Sequence, residues 1–394
     1  MRVLSLSTLF PSPAQPGFGK FVANQMAAVA ARGDVDLVMV NPIGLPPWPL
    51  AALGRYQALA ACPPSSTLGP LTVYHPRFTL LPLLGGDSNP GRIARAVLPL
   101  VRRLHAQAPF DLIDAQFFFP DGPAAVEVAQ ALGLPCTIKA RGSDIHYWSG
   151  RPTALAQIRT AGAAAAGMLA VSAALKHDMA ALGLPDERIV VHYTGLDHTR
   201  FKPTPRGQAR AMVAASLGLP DDGAPLLLCP GALIAIKGQA LAIRALLDIP
   251  GTRLALAGKG SDEAELRTLA AALGLAERVH FLGQVGHELL PTLMSAADVV
   301  VLPSEREGLA NVWIEALACG TPLVIPAIGG AAEVVTNPAA GRLAARAPAA
   351  IAAAVNALIT DGPAQAETAQ QAARFSWEEN AARLVAFWRG LARA

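Results

Sequence analysis

Glu307 and Glu315 stand eight residues apart, the first in a polar stretch and the second in the opening turns of what reads as a helix. A helix start leaves backbone N–H groups without intrahelical partners and carries a partial positive charge. Such an end binds phosphate. Carboxylates on either side of it cannot hold the phosphates themselves, because like charges repel. They can hold hydroxyls, and a ligand that offers phosphate with hydroxyls on both sides is a nucleotide sugar. Taken alone, such a pair reads more simply as two surface glutamates, the second merely favouring the helix dipole. Lys237, in the segment GALIAIKG after another apolar run, adds a cation where a charge-assisted contact to phosphate would be strong.

The elements around the glutamates are legible. Residues 299–302 are continuously apolar and predict a buried strand. Polar residues 304–307 fall at its end, and Gly308 turns the chain. Asn311 is a good N-cap for a helix over 312–319, which Gly320 and Pro322 terminate. A second apolar strand at 323–325 leads to the Gly329–Gly330 turn. This is one strand–loop–helix–strand unit of a parallel sheet.

The same run resembles the donor-site signature of retaining glycosyltransferases of family 4 (group 1). The matching features are Glu307–Gly308, Asn311, Glu315–Ala316, Ala318 through Pro322, and Gly329–Gly330 followed by Glu333. The resemblance implies that Glu307 holds hydroxyls of the transferred sugar and Glu315 the ribose. The amides of Leu309, Ala310, Asn311 and Val312 would face the sugar and phosphates. Lys237 would meet the diphosphate; the arginine usual after the first glycine is here Ala232. The base would pack near Gly283 and Val285 through backbone contacts. Gly19 would let the backbone approach the diphosphate, although the usual adjacent glycine pair is replaced by Gly17-Phe18-Gly19. Gln116 stands where related enzymes often carry His. Asp144 and His146, at another strand's C-terminal end, are then the acceptor-side candidates, since ligands bind at such ends.

The resemblance implies the GT-B fold: α/β, two doubly wound parallel-sheet (Rossmann-like) domains facing a cleft. Residues 1–198 would form the acceptor-side domain and 199–375 the donor domain, with 376–394 a helix crossing back to the first. The implied reaction moves a sugar from a UDP- or GDP-linked donor to a hydroxyl, retaining the anomeric configuration. Neither a metal nor a cofactor is implied. The acceptor would be a saccharide or lipid-linked saccharide, and the segment around Gly19 looks most like bacterial enzymes that build capsule, exopolysaccharide or wall polymers. Two other readings stay open: nucleotide-sugar epimerisation or hydrolysis on the same fold, and a non-catalytic sugar-binding protein on a decayed transferase scaffold.

The whole chain agrees with two domains. It has 394 residues, 52% hydrophobic and 15% charged, more than one core usually holds. A net charge of +3 gives no ground for a nucleic-acid partner. The four cysteines, Cys62, Cys136, Cys229 and Cys319, have no paired spacing and read as small buried hydrophobes in a reducing, cytoplasmic setting. Mean hydropathy is positive, yet no apolar run is long enough to span a bilayer. The triplet Asp34-Val35-Asp36 has the spacing of a metal motif of another fold but reads as incidental. Residues 42–90 are the least regular and predict one or two strands, or an acceptor surface. Residues 92–105 predict an amphipathic helix kinked at Pro99, with Arg92, Arg95, Arg102 and Arg103 on one side. Such a face is either simply solvated or rests peripherally on an anionic membrane.

Overall fold

The computed structural model describes residues 1–81, 85–286 and 288–392. Contacts divide the chain into one unit of Met1–Gly195 with the residues from Trp377 onward, and a second of Leu196–Ser376. The first boundary falls three residues before the 198/199 expected from sequence.

In the first unit, short runs of β-branched and apolar residues make the strands β1 (Arg2–Leu6), β2 (Asp36–Val40), β3 (Ile43–Leu45), β4 (Ser65–Leu68), β5 (Leu71–Tyr74), β6 (Arg77–Thr79), β7 (Leu112–Ala115), β8 (Cys136–Ala140), β9 (Gly167–Ala170) and β10 (Ile189–Val191). The main sheet has the order β10-β9-β8-β7-β1-β2-β5-β4 and is parallel except for β4 against β5. The described part of residues 42–90 thus holds four strands, more than its Pro- and Gly-rich sequence predicts. Two of them, β3 and β6, pair as a separate small sheet. Pairing supplies what local propensity lacks there: β4 with β5 as a hairpin, β5 with β2 and β3 with β6 over longer separations.

Buried polar groups tie the terminal helix Trp377–Ala392 to this sheet. Asp114 is fully buried and accepts from Ser5 Oγ (2.9 Å), Gln116 Nε2 (2.7 Å), Thr137 Oγ1 (2.8 Å) and Trp388 Nε1 (3.2 Å). Lys139 Nζ lies 2.7 Å from His192 Nδ1, whose Nε2 lies 2.9 Å from the Asn380 carbonyl. Burial pushes the Asp114 carboxyl up and holds Lys139 and His192 well down. Leu384, Val385 and Trp388 join the core beside Val22, Met26 and Val29 of the helix Lys20–Ala31.

The helix Asn89–Gln107 runs through Pro99, which lies on its exposed side. Its apolar face, Ile93, Ala94, Val97, Val101 and Leu104, is buried, while Arg95, Arg102 and Arg103 are exposed. Asp34 pairs with Arg32 and Arg389, and Asp36 with Arg2, so both acids of the D-x-D triplet serve ion pairs. All four cysteines are free and buried.

The second unit is a wholly parallel sheet of β11 (Leu226–Pro230), β12 (Arg253–Ala257), β13 (Val279–Gly283), β14 (Val299–Val301), β15 (Leu323–Ile325) and β16 (Gly341–Leu343), in the order β13-β12-β11-β14-β15-β16. The strand order reverses between β11 and β14. At such a reversal of strand order, α/β sheets bind ligands in the crevice at the C-terminal ends of the strands. No described helix is long and apolar enough to cross a membrane.

Candidate active site

The loop after β11 carries Lys237 and the loop after β14 carries Glu307, so the reversal point brings together residues seventy positions apart. A backbone bond from Glu305 N–H to the Ile236 carbonyl, 2.7 Å, knits the loops. Lys237 Nζ then lies 2.5 Å from Glu307 Oε1, with side chains 27% and 15% exposed. At such partial burial, loss of water strengthens the pair without trapping it.

This ion pair sits in a cleft of about 410 Å³. Of the residues singled out from sequence, Lys237, Glu307, Val285 and Val312 line it. Ala232, Lys259 and Gln284 line it too. Lys259 is the lining residue that sequence reasoning passed over, because Gly258-Lys259-Gly260 reads as a plain strand-to-helix turn. The signal was its place at the C-terminal end of a strand neighbouring β11.

The helix at the cleft is Asn311–Ala318, one residue earlier than predicted at both ends. Ala310, extended at φ −71° and ψ 122°, is the N-cap, so Asn311 is the first helical residue and caps nothing with its side chain. Trp313 N–H bonds the Ala310 carbonyl at 3.0 Å. The amides just before Trp313 are those a helix leaves open to a ligand. Leu309 is buried, and Leu309, Ala310, Asn311 and Gly283 are not cleft-lining.

Glu315 also stands off from the cleft lining. Burial raises its carboxyl to about 7, against the opposing pull of the Arg200 guanidinium. Among the described residues, two nitrogens of that guanidinium, Nε and Nη2, are buried without a hydrogen-bond partner.

Gly329 props the Glu307 loop from behind. It has φ +48°, and a Cβ there would stand 2.1 Å from the Glu307 carbonyl oxygen and 2.6 Å from that of Gly308. Gly330 N–H bonds the Gly308 carbonyl at 2.7 Å. Gly329→Ala is therefore expected to lose about 2 kcal/mol or more of stability. For a unit of this size that is a fall of several degrees in Tm. An unchanged Tm by calorimetry would remove this role.

The candidates in the first unit are placed differently. Asp144 is fully buried. Its carboxylate accepts from the backbone N–H groups of Phe118 (2.7 Å), Arg141 (2.9 Å) and Gly142 (2.8 Å). With its oxygens so occupied it ties two loops together, and it is buried at the strand end where an acceptor contact is expected from sequence. Its neighbour His146 is partly exposed, with Nε2 2.9 Å from Asp178 Oδ2. Gln116 is buried too and bridges Asp114 to the Arg141 guanidinium. Gly19, at φ +66°, begins the helix Lys20–Ala31 against the Leu9 carbonyl, 2.4 Å from where a Cβ would sit. That close approach accounts for the glycine without a ligand. Among the described residues no group of three or more His, Cys, Asp or Glu is arranged to hold a metal.

Residues 217–375 match the family Glycosyl transferases group 1, and residues 50–200 match Glycosyltransferase Family 4. The chain is 34% identical over 290 residues to D-inositol 3-phosphate glycosyltransferase 1 of Catenulispora acidiphila, covering 68% of this chain and 67% of that one. It is 28% identical over 344 residues to the teichuronic acid biosynthesis glycosyltransferase TuaC of Bacillus subtilis, covering 85% and 83%. Among solved structures, sucrose-phosphate synthase from Thermosynechococcus elongatus matches at TM-score 0.77 and 21% identity over 99% of both chains. Anabaena HepE, solved in complex with UDP, matches at TM-score 0.75 and 23% identity over 98% of both. At these identities the structures speak to fold alone. With two parallel α/β sheets, both family matches and these relatives, the chain belongs to the family 4 (group 1) glycosyltransferases of GT-B fold.

Proposed function

We propose that the chain moves a sugar from a UDP- or GDP-linked donor to a hydroxyl acceptor, retaining the anomeric configuration, in the building of a cell-surface polysaccharide or glycolipid. The observation that carries this reading is the Lys237–Glu307 pair in the crevice at the reversal of strand order. The nucleotide part is supported by HepE, solved with UDP and with UDP-glucose. The polymer part is supported by the name of TuaC, a teichuronic acid biosynthesis glycosyltransferase.

In this reading the donor diphosphate lies between the start of the helix Asn311–Ala318 and Lys237. Glu307 accepts hydrogen bonds from hydroxyls of the sugar and fixes its pose. In the free protein each partner of the ion pair holds the other in the cleft, and donor binding exchanges that contact for phosphate and hydroxyl. The leaving phosphate takes the acceptor's proton on the same face, and the fixed positive charge around it stabilises the developing negative charge. Glu307 is then a positioning group, and no side chain serves as nucleophile or metal ligand. A lipid-linked acceptor at an anionic membrane surface would suit the exposed Arg95, Arg102 and Arg103.

A thermal-shift screen of UDP-, GDP- and ADP-sugars tests the donor. A ligand of the folded state at a hundred times its Kd adds about 2.7 kcal/mol. One sugar nucleotide should raise Tm beyond its own nucleoside diphosphate. No shift with any of them would remove the donor-site reading.

A further inference from the structure

We propose that Lys259 is a second cation for the donor's diphosphate, a role that rests on the donor-site reading above. The argument begins with charge. In the cleft Lys237 is already paired with Glu307. Position 232, on the loop beside it, is alanine and offers no charge. Lys259 lines the same cleft, is exposed, and among the described residues its ammonium has no hydrogen-bond or ion-pair partner. It is the one cation lining the cleft that the described residues leave unneutralised, and a sugar nucleotide brings two phosphates there.

The backbone explains its aim. Gly231 N–H bonds the Ala257 carbonyl at 2.9 Å, and Leu233 N–H bonds the Lys259 carbonyl at 3.1 Å. Segments 231–233 and 257–259 are thus pinned side by side, with residue 232 between the two bonds. A Cβ at Gly258 would meet the Gly231 oxygen at 1.8 Å, and one at Gly260 would meet the Leu233 oxygen at 2.0 Å. Only glycines fit on either side of Lys259, which fixes its Cα at the cleft wall. Its stem runs past Gly283, with Cε 3.7 Å from where a Cβ of that residue would be. The charge absent at position 232 is therefore supplied from the adjoining strand end. A lysine suits this task as a flexible point charge that reaches a phosphate without demanding a planar fit.

The test titrates the full chain with UDP and GDP, and with uridine and guanosine, by calorimetry. Lys259→Gln should raise the Kd of the diphosphate that binds by about tenfold or more, the loss of a charged hydrogen bond. Its affinity for the nucleoside and its unliganded Tm should stay at the parent's values, and Lys259→Arg should recover most of the diphosphate affinity. Parent-like diphosphate binding by Lys259→Gln would overturn the inference while leaving the donor site standing. So would an equal loss of diphosphate and nucleoside. If the parent binds neither diphosphate, the donor-site reading fails and takes this inference with it.

Discussion

Glu307→Ala is expected to lower kcat/KM with the true donor by about tenfold or more for each sugar hydrogen bond lost, since each charged bond contributes roughly 1.5–3 kcal/mol. The structure adds a second expectation. Because Lys237 Nζ is bonded to Glu307 in the free protein, removing either side chain releases or strands the other. Glu307→Ala frees Lys237 for phosphate, so nucleoside diphosphate should bind at least as tightly as to the parent while turnover collapses. Lys237→Ala leaves a half-buried carboxylate facing incoming phosphates, so diphosphate binding should weaken and nucleoside binding should not. The two effects share one contact, so the double variant should cost less than the sum of the singles. Steady-state kinetics and calorimetry on the four proteins decide it. Unchanged kinetics in Glu307→Ala, or strict additivity, would separate this pair from the chemistry.

The second large effect is a pH dependence centred on Glu315. Its carboxyl is raised from 4.5 to about 7 by burial. In the window between those values the folded state holds a proton that the unfolded chain has released. The stability this group contributes is fully present below 4.5 and is lost as pH rises through about 7, a change on the order of 3 kcal/mol. Glu315→Gln, which cannot ionise, should abolish that part of the slope and be the more stable protein at pH 8. Ligand binding should run the other way. If the ionised carboxylate accepts from ribose hydroxyls, nucleoside affinity rises by about tenfold between pH 6 and pH 8, following the ionised fraction. It should be flat in Glu315→Gln. Denaturant unfolding and nucleoside titrations across this range check both arms. A parent and variant with parallel pH profiles would show that Glu315 keeps its ordinary titration.

Much of the second unit was legible because its motifs are local. The apolar run before Glu307, the turn glycines and the start of the following helix all lie within one short stretch, and each obeys a local rule of period or turn. Errors there were small and had local causes. Asn311 has the right side chain for a cap, yet the extended backbone of Ala310 took the position. The first unit was harder to read. Asp144 looked like an exposed acid at a turn, and nothing in its neighbours in sequence announces that Phe118 N–H would reach it from another loop. Residues 42–90 looked irregular because their strands are short and, the β4–β5 hairpin apart, pair with segments distant in sequence.

The sequence by itself determined the family, the alternation of strands and helices in two halves, and the strand–loop–helix–strand stretch from Val299 to Glu333 that carries Glu307 and Val312. These follow from side-chain period, turn chemistry and motif spacing, all properties of neighbouring residues. Tertiary structure alone decided that Lys237 meets Glu307, that Lys259 stands beside Ala232, and that Asp144 faces inward. Each of these is a contact between distant segments. Such contacts depend on which strands lie side by side, here β11 against β14 and β12, and strand order is set by the packing of the whole sheet, not by any local run of residues.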